Sequence, residues 1–257
     1  MSRWMKTVPL TLALAALSIL AASCNSSGSA QVRFVNAIQD TAQYGAALDF
    51  EFNGTKSFSD IAFFGYLPIS GYTSVPVGSD SIEGLETGTT TEVFRADVAL
   101  NPGSQSQYTL VATGFATNTS KVAIISAIDN NTVPAPGKVE FRVINASPSG
   151  PAGDGSAVDI YIVPVGSSGS IAPPATITNL AYRSVSSYVT LPYNSNVVDG
   201  ANYTMFVTVT GTTTPIFLTQ SLSAGSSSEG SIRTLVLTDQ QNIDLLNPLA
   251  IVLNDFN

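Results

Sequence analysis

Val32-Arg33-Phe34-Val35-Asn36-Ala37 and Phe141-Arg142-Val143-Ile144-Asn145-Ala146 are two versions of one six-residue phrase. Each sets an Arg between apolar residues and ends in Asn-Ala. Each also opens a segment that keeps echoing the other. Ala47-Leu48-Asp49-Phe50-Glu51-Phe52 returns as Ala157-Val158-Asp159-Ile160-Tyr161-Ile162, with Arg-to-Asp spacings of 16 and 17 residues. Ser70 to Ser79 returns as Ser186 to Ser195, both containing Tyr and Pro at matching places. Thr109-Leu110-Val111 returns as Thr234-Leu235-Val236. Landmarks that recur in one order, with only loop lengths changing, indicate a duplicated unit.

Each unit reads as β-structure. Leu48, Phe50 and Phe52 alternate with Asp49 and Glu51, the period of a half-buried strand. Asn53-Gly54 supplies a hairpin turn, because both residues tolerate positive φ. Ser57 to Tyr66, Tyr72 to Val77, Glu92 to Leu100, Tyr108 to Thr113 and Lys121 to Ile128 read as further strands. Val32 and Phe34 alternate only roughly with their neighbours. About seven short strands with turn signals at roughly ten-residue spacing, and no helical period, point to a sandwich. The expected fold is all-β: two tandem antiparallel β-sandwich, immunoglobulin-like domains. A single closed barrel is the rival, and the duplication argues against it. The second unit has a longer Gly/Ser/Pro loop from Pro164 to Thr176. It ends with one short helical turn within Asp239 to Leu249 and a closing strand over Ala250 to Leu253.

The N-terminus reads as an address. Arg3 and Lys6 precede an apolar run from Val8 to Leu20, too short to span a bilayer, and then Ala21-Ala22-Ser23-Cys24. The only cysteine is Cys24, so no internal disulfide can form. Small residues before a lone Cys resemble the lipobox of bacterial lipoproteins. In that family the thiol is diacylglycerol-modified, the chain is cut before the Cys, and the new N-terminus is acylated. Ala21 stands where Leu is usual, and Leu20 lies one residue further out. Asn25-Ser26-Ser27-Gly28-Ser29 then forms a polar tether. The expected organisation is a lipoprotein signal peptide over 1–23, a tether over 24–30, a first sandwich over 31–129, a linker over 130–137, and a second sandwich over 138–257. Asn25 follows the Cys where inner-membrane retention favours Asp. In a two-membrane envelope this favours the outer membrane.

Composition excludes several chemistries. Of 257 residues only 11% are charged, 44% are hydrophobic, and the net charge is −8. Loss of Arg3 and Lys6 with the signal leaves 8 basic against 18 acidic residues and a net charge of −10. A nucleic-acid partner is not expected, since phosphate backbones require a basic face. The chain has no His, which removes the commonest general base and metal ligand. No Gly-x-Ser-x-Gly elbow and no Gly-rich phosphate loop is present. Lys121 follows Ser120 directly, so the two would face opposite sides of a strand. Asp49 with Glu51 could be read as a glycosidase pair, but Tyr161 stands where a second Glu would be. Calcium-loop spacing is absent apart from a weak Asp154-Gly155. No cofactor and no metal site is expected.

Arg33 with Asp49, and Arg142 with Asp159, form the most notable constellation. A polar ligand site in each unit is one reading; a structural ion pair within each unit is the favoured one. Tyr72 and Tyr188 read as buried residues whose hydroxyls pin a corner, with an aromatic contact surface as the alternative.

Together Val-Arg-Phe-Val-Asn-Ala, Phe-Arg-Val-Ile-Asn-Ala-Ser-Pro, Val-Asp-Ile-Tyr, Ser-Tyr-Val-Thr-Leu-Pro and Tyr-Thr-Leu-Val-Ala-Thr-Gly resemble the DUF4397 family over Gln31 to Leu253. These are extracytoplasmic bacterial domains, often in tandem and often on lipoproteins. The family frequently has His where Asn36 and Asn145 stand. The resemblance implies fold and location and no activity. The resulting expectation is a non-enzymatic cell-envelope lipoprotein, held at the membrane by acylated Cys24, acting as a binding, adhesion or structural module with an envelope protein or glycan as partner. The alternative is a carbohydrate-binding or hydrolytic envelope protein.

Overall fold

The computed structural model describes residues 28–40, 47–77, 81–101, 107–149, 155–164, 171, 173–193, 201–218, 222–223, 230–239 and 249–255. Among these, all regular structure is β. The first unit contains β1 (Ser29–Gln39), β2 (Ala47–Phe52), β3 (Thr55–Ala62), β4 (Gly65–Leu67), β5 (Thr73–Pro76), β6 (Ser81–Glu86), β7 (Glu92–Asp97), β8 (Gln107–Phe115) and β9 (Asn118–Ile128). The second contains β10 (Lys138–Asn145), β11 (Val158–Pro164), β12 (Ile177–Leu180), β13 (Val189–Pro192), β14 (Ala201–Val209), β15 (Pro215–Leu218), β16 (Leu222–Ser223), β17 (Ile232–Thr238) and β18 (Leu249–Asn254).

Four sheets result, two per unit. The first unit forms β4-β1-β8-β9, with β5 also on β1, and β3-β2-β6-β7. The second forms β13-β10-β17-β18 and β12-β11-β14-β15, with β16 also on β14. The registers superpose: Arg33 lies opposite Thr109 and Arg142 opposite Thr234. Ser29 meets Pro76 as Lys138 meets Pro192. The all-β sandwich expectation holds, with one correction: the sheets are mixed, not wholly antiparallel. β1 pairs with β8, and β10 with β17, in parallel. Parallel neighbours need a crossover connection, and the second sheet of each sandwich lies on that connection.

The four sheets stack in layers. Phe34 of β1 packs against Phe50, Phe52 and Phe58 of the facing sheet. Phe141 and Val143 of β10 pack against Ile160, Met205 and Val207. A third core joins the two units: Val35, Ala37, Val111 and Ile125 meet Ile144, Ala146, Val236 and Leu253. The β1 and β10 sheets are therefore covered on both faces. That explains the imperfect alternation of Val32 to Ala37. Even-numbered residues there enter the sandwich core and odd-numbered ones the seam between sandwiches, so both faces are selected for burial.

Several expectations change in detail. The tether ends sooner, because Ser29 and Ala30 pair with Pro76 and Val75 and Ala30 is fully buried. The expected strand from Ser57 to Tyr66 breaks into β3 and β4 at Phe63-Phe64, where Phe64 has φ 66°. Strand β6 was not among the expected strands. Its alternation fails at Gly84, where the pairing with β7 shifts and the Phe94 ring lies over the glycine: a Cβ there would sit 2.1 Å from Phe94 Cε1. The expected closing strand is present as β18. The expected helical turn falls mostly on 240–248, outside the described residues.

Candidate functional site

The odd-numbered face of β1 and its counterpart on β10 bring Arg33 and Arg142 into the seam, where both are almost completely buried. Neither meets its expected partner. Arg33 Nη2 lies 2.6 Å from Asp255 Oδ1 and 3.4 Å from Asp129 Oδ2. Arg142 Nη2 bonds Asp129 Oδ1 and lies 3.9 Å from Asp255 Oδ2. Asp129 follows β9 and Asp255 follows β18, so they are equivalent positions of the two units. The shorter ion pair of each Arg thus crosses between sandwiches, and a longer one closes within its own unit.

Backbone contacts obey the same exchange. Arg33 Nη1 donates to the carbonyl of Asn254 at 2.6 Å, and Arg142 Nη1 donates to that of Ile128 at 2.7 Å. Each Arg also donates to the Thr beside it on its own sheet, Thr109 or Thr234, both at 2.7 Å. Those Thr hydroxyls donate in turn to Asp129 and Asp255. Tyr72 donates to Asp129 at 2.6 Å and Tyr188 to Asp255 at 2.8 Å. Each ring also lies beside its guanidinium, at 5.6 Å for Arg33 over Tyr72 and 4.8 Å for Arg142 over Tyr188. The tyrosines therefore pin a junction, as the corner reading anticipates, but the junction lies between domains. A departure from this approximate two-fold pattern is Arg33 Nε, buried without a partner while Arg142 Nε is bonded.

Two guanidinium and two carboxylate groups balance in charge. Burial works against the Arg33 charge, yet Asp255 and Asp129 outweigh it and raise its pKa above the ordinary value. Burial, aided by Asp255, pushes the Asp129 carboxyl up, while Arg142 and Arg33 oppose the rise. Burial and nearby carboxylates also raise Tyr72 and Tyr188, keeping both hydroxyls as donors. These groups hold one another. Their arrangement is a clasp, chemically suited to fixing the relative position of two sheets.

Asp49 and Asp159 stand elsewhere, and they have a shared task. Asp49 accepts from the N–H of Asp60 at 2.8 Å and of Gly88 at 3.1 Å. Asp159 accepts from Asn179 at 2.7 Å and Gly211 at 2.8 Å. All four donors are residues in left-handed conformation. Each Asp thus ties a bulge to a hairpin turn. Asp49 adds Lys56 at 2.7 Å, so it is half of an ion pair, whereas Asp159 has no cation partner among the described residues. The glycosidase reading of Asp49 loses its carboxylate to these bonds. Asn36 and Asn145 are latches too. Each amide donates to a carbonyl, Ile61 or Leu180, and each accepts the N–H two residues on.

Burial would raise the Asp49 pKa, but Lys56 and the two backbone donors outweigh it, and the carboxyl sits below its ordinary value. A depressed carboxyl stabilises the fold above its unfolded pKa, and that stabilisation is lost as pH falls through the folded value. Asp49→Asn is therefore expected to cost about 1–3 kcal/mol at pH 7. The difference from wild type should shrink below about pH 4, near the ordinary carboxylate pKa. Urea titrations at both pH values measure it; a pH-independent difference would contradict this role.

Asp129 and Asp255 were not singled out in the sequence. The signal available was positional: each follows the final strand of its unit, opposite the Arg-bearing strand of the other. Cys24, the apolar run before it and Asp154 lie outside the described residues. Among the described residues, no group of three or more His, Cys, Asp or Glu is placed to hold a metal. No helix among them is long and apolar enough to cross a membrane.

A family model for DUF4397, a domain of unknown function, matches residues 30–161, just over half of the chain. The chain belongs to the DUF4397 family. The match runs from the start of β1 into β11, so it spans the whole first sandwich and the clasp-forming strand of the second. No curated protein matches this DUF4397 chain in sequence. Among solved structures, the Bacillus anthracis TIE protein is similar at 12% identity and a TM-score of 0.23, covering 82% of this chain and 33% of its own. The DUF4397 chain thus spans about a third of that protein's length. A structure titled for alpha-glucan recognition by family 41 carbohydrate-binding modules from streptococcal virulence factors is similar at 10% identity and a TM-score of 0.26. That likeness covers 86% of this chain and 96% of the module. At these scores neither likeness carries an argument about what the chain does.

Proposed function

We propose that this DUF4397 chain is a non-enzymatic module of the cell envelope, anchored through acylated Cys24, that holds or binds another envelope component. The observation that supports it best is the use made of the conspicuous charged residues. Arg33, Arg142, Asp49 and Asp159 are all committed to holding strands and turns together. A pair of sandwiches locked by a hydrophobic seam and a charge clasp is a rigid platform, the form suited to presenting a surface. Four residues, Asn25 to Gly28, separate Cys24 from β1. Fully extended they reach roughly 14 Å, which would hold the body close to the lipid surface. Acyl chains in pairs or threes would make that attachment stable. In an envelope with two membranes, the outer one is the proposed site.

Metabolic labelling with a radioactive fatty acid tests the anchor. Wild type is expected to take up label and stay with the membrane fraction, whereas Cys24→Ser should lose the label entirely. An unlabelled wild type would end the lipoprotein reading. Specific binding to a glycan array would move the assignment towards a carbohydrate-binding protein.

A further inference from the structure

A second junction feature lies at the other end of the seam, away from the clasp. Gly114, Phe115 and Lys121 of the first sandwich and Pro148, Gly155, Tyr182 and Arg183 of the second line a cavity of about 230 Å³. The first sandwich's Thr113 hydroxyl donates to the carbonyl of Ala146 at 2.6 Å and lies 3.3 Å from the Tyr182 hydroxyl, which closes the seam beside it. Arg183 Nη2 donates to the carbonyl of Lys121, and its guanidinium lies 5.0 Å from the Tyr182 ring centre. Small residues keep the space open. A Cβ on Gly155 would stand 3.3 Å from the Pro148 carbonyl and 3.6 Å from the Tyr182 ring.

Two of the chain's few basic residues line this cavity. Of the eight basic residues after Cys24, Arg33, Lys56, Arg95 and Arg142 have carboxylate partners. Lys121, Lys138, Arg183 and Arg233 have none within ion-pair distance among the described residues, and of these Lys121 and Arg183 are the exposed ones. In a protein of net charge −8, two exposed basic residues lining one cavity give it a local positive charge that an anion would neutralise.

Duplication supplies an independent comparison. The N–H of Arg183 bonds the carbonyl of Asn145, as the N–H of Phe64 bonds that of Asn36. Both residues have the same left-handed backbone, φ 65° and 66°. The fold therefore builds this turn with Phe63-Phe64 in one unit and Tyr182-Arg183 in the other. The cation at position 183 is not required by the turn.

We propose that this junction cavity binds an oxyanion, a carboxylate, phosphate or sulfate group of a small ligand, between Arg183 and Lys121. Guanidinium and ammonium groups form charge-assisted hydrogen bonds to such oxygens. The inference stands with or without the lipid anchor, since it rests on residues of the folded body.

Isothermal titration of the purified full chain at low salt, with galacturonate, galactose, inorganic phosphate and inorganic sulfate, tests it. Saturable binding of an anion at one site per chain is expected, with galactose inert. Arg183→Phe, the residue the first unit uses at this turn, should weaken binding at least about tenfold, the weight of one charge-assisted hydrogen bond. Lys121→Gln should weaken it severalfold. Preference for galacturonate would identify an acidic sugar as the source, and preference for phosphate or sulfate a free oxyanion. Absence of binding by all three anions at about 10 mM, a free energy under about 3 kcal/mol, would overturn the proposal. So would unchanged affinity in both variants.

Discussion

Arg142→Ala is expected to lower the stability of this protein by about 3–5 kcal/mol, the usual cost of breaking a buried ion pair from one side. The guanidinium makes bonds to Thr234, the Ile128 carbonyl and Asp129. Its removal leaves Asp129 and Asp255 in the seam with Arg33 as their sole remaining cation. Two carboxylates facing one guanidinium in a low-dielectric space repel each other, and the seam must open, admit water or take up a proton. The companion Asp129→Ala removes the opposite charge, so the double variant Arg142→Ala/Asp129→Ala should recover part of the loss. Urea denaturation of the four proteins in this cycle gives the coupling directly. A loss below about 1 kcal/mol in Arg142→Ala, the range of exposed pairs, would show that the clasp does not hold the seam. The same residues would then have to be explained as a solvated patch, which their burial contradicts.

Phe34→Ala is the second large effect, at about 3–5 kcal/mol. The Phe34 ring is fully buried and lies 4.3 Å from the Phe50 ring, 5.6 Å from Phe58 and 6.0 Å from Phe52. Truncation removes the centre of this group and leaves a cavity that three large rings on a second sheet cannot close. Phe141 occupies the matching position in the second unit but has one ring neighbour among the described residues, Tyr203 at 5.9 Å. Aliphatic side chains such as Ile160 and Met205 surround it and can shift to fill space. Phe141→Ala is therefore expected to cost less than Phe34→Ala. Thermal unfolding of both variants ranks them, and the reverse order would mean that the aromatic group adds nothing beyond buried area.

Much of the architecture was legible because β-structure writes a short-range code. Leu48, Phe50 and Phe52 alternate, and all three are buried. Asn53-Gly54 turns with φ of 50° and 73°. The repeat landmarks, read only as echoes, correspond to equivalent strands in equivalent registers. Legibility failed where a neighbour distant in sequence set the rule. Gly84 looks like a strand breaker until the Phe94 ring is placed over it. Asp49 looks like the partner of Arg33 because both recur at a near-constant spacing. They belong to strands of different sheets in the same sandwich, and Arg33 points the other way, into the seam.

By itself, the sequence determined that this chain is a duplicated β-protein with small turns, low charge and no histidine. Those properties are local: periodicity, turn chemistry and composition act over a few residues. Only the tertiary structure decided that the two units face each other across sheets buried on both sides. Only it decided that each Arg answers the other unit's terminal Asp, Asp255 for Arg33 and Asp129 for Arg142. The physical reason is that an ion pair is selected by distance and burial, not by spacing along the chain. Arg33 and Asp255 are separated by 222 residues and meet at 2.6 Å. The paired phrases Val32–Ala37 and Phe141–Ala146 mark the two halves of one joint.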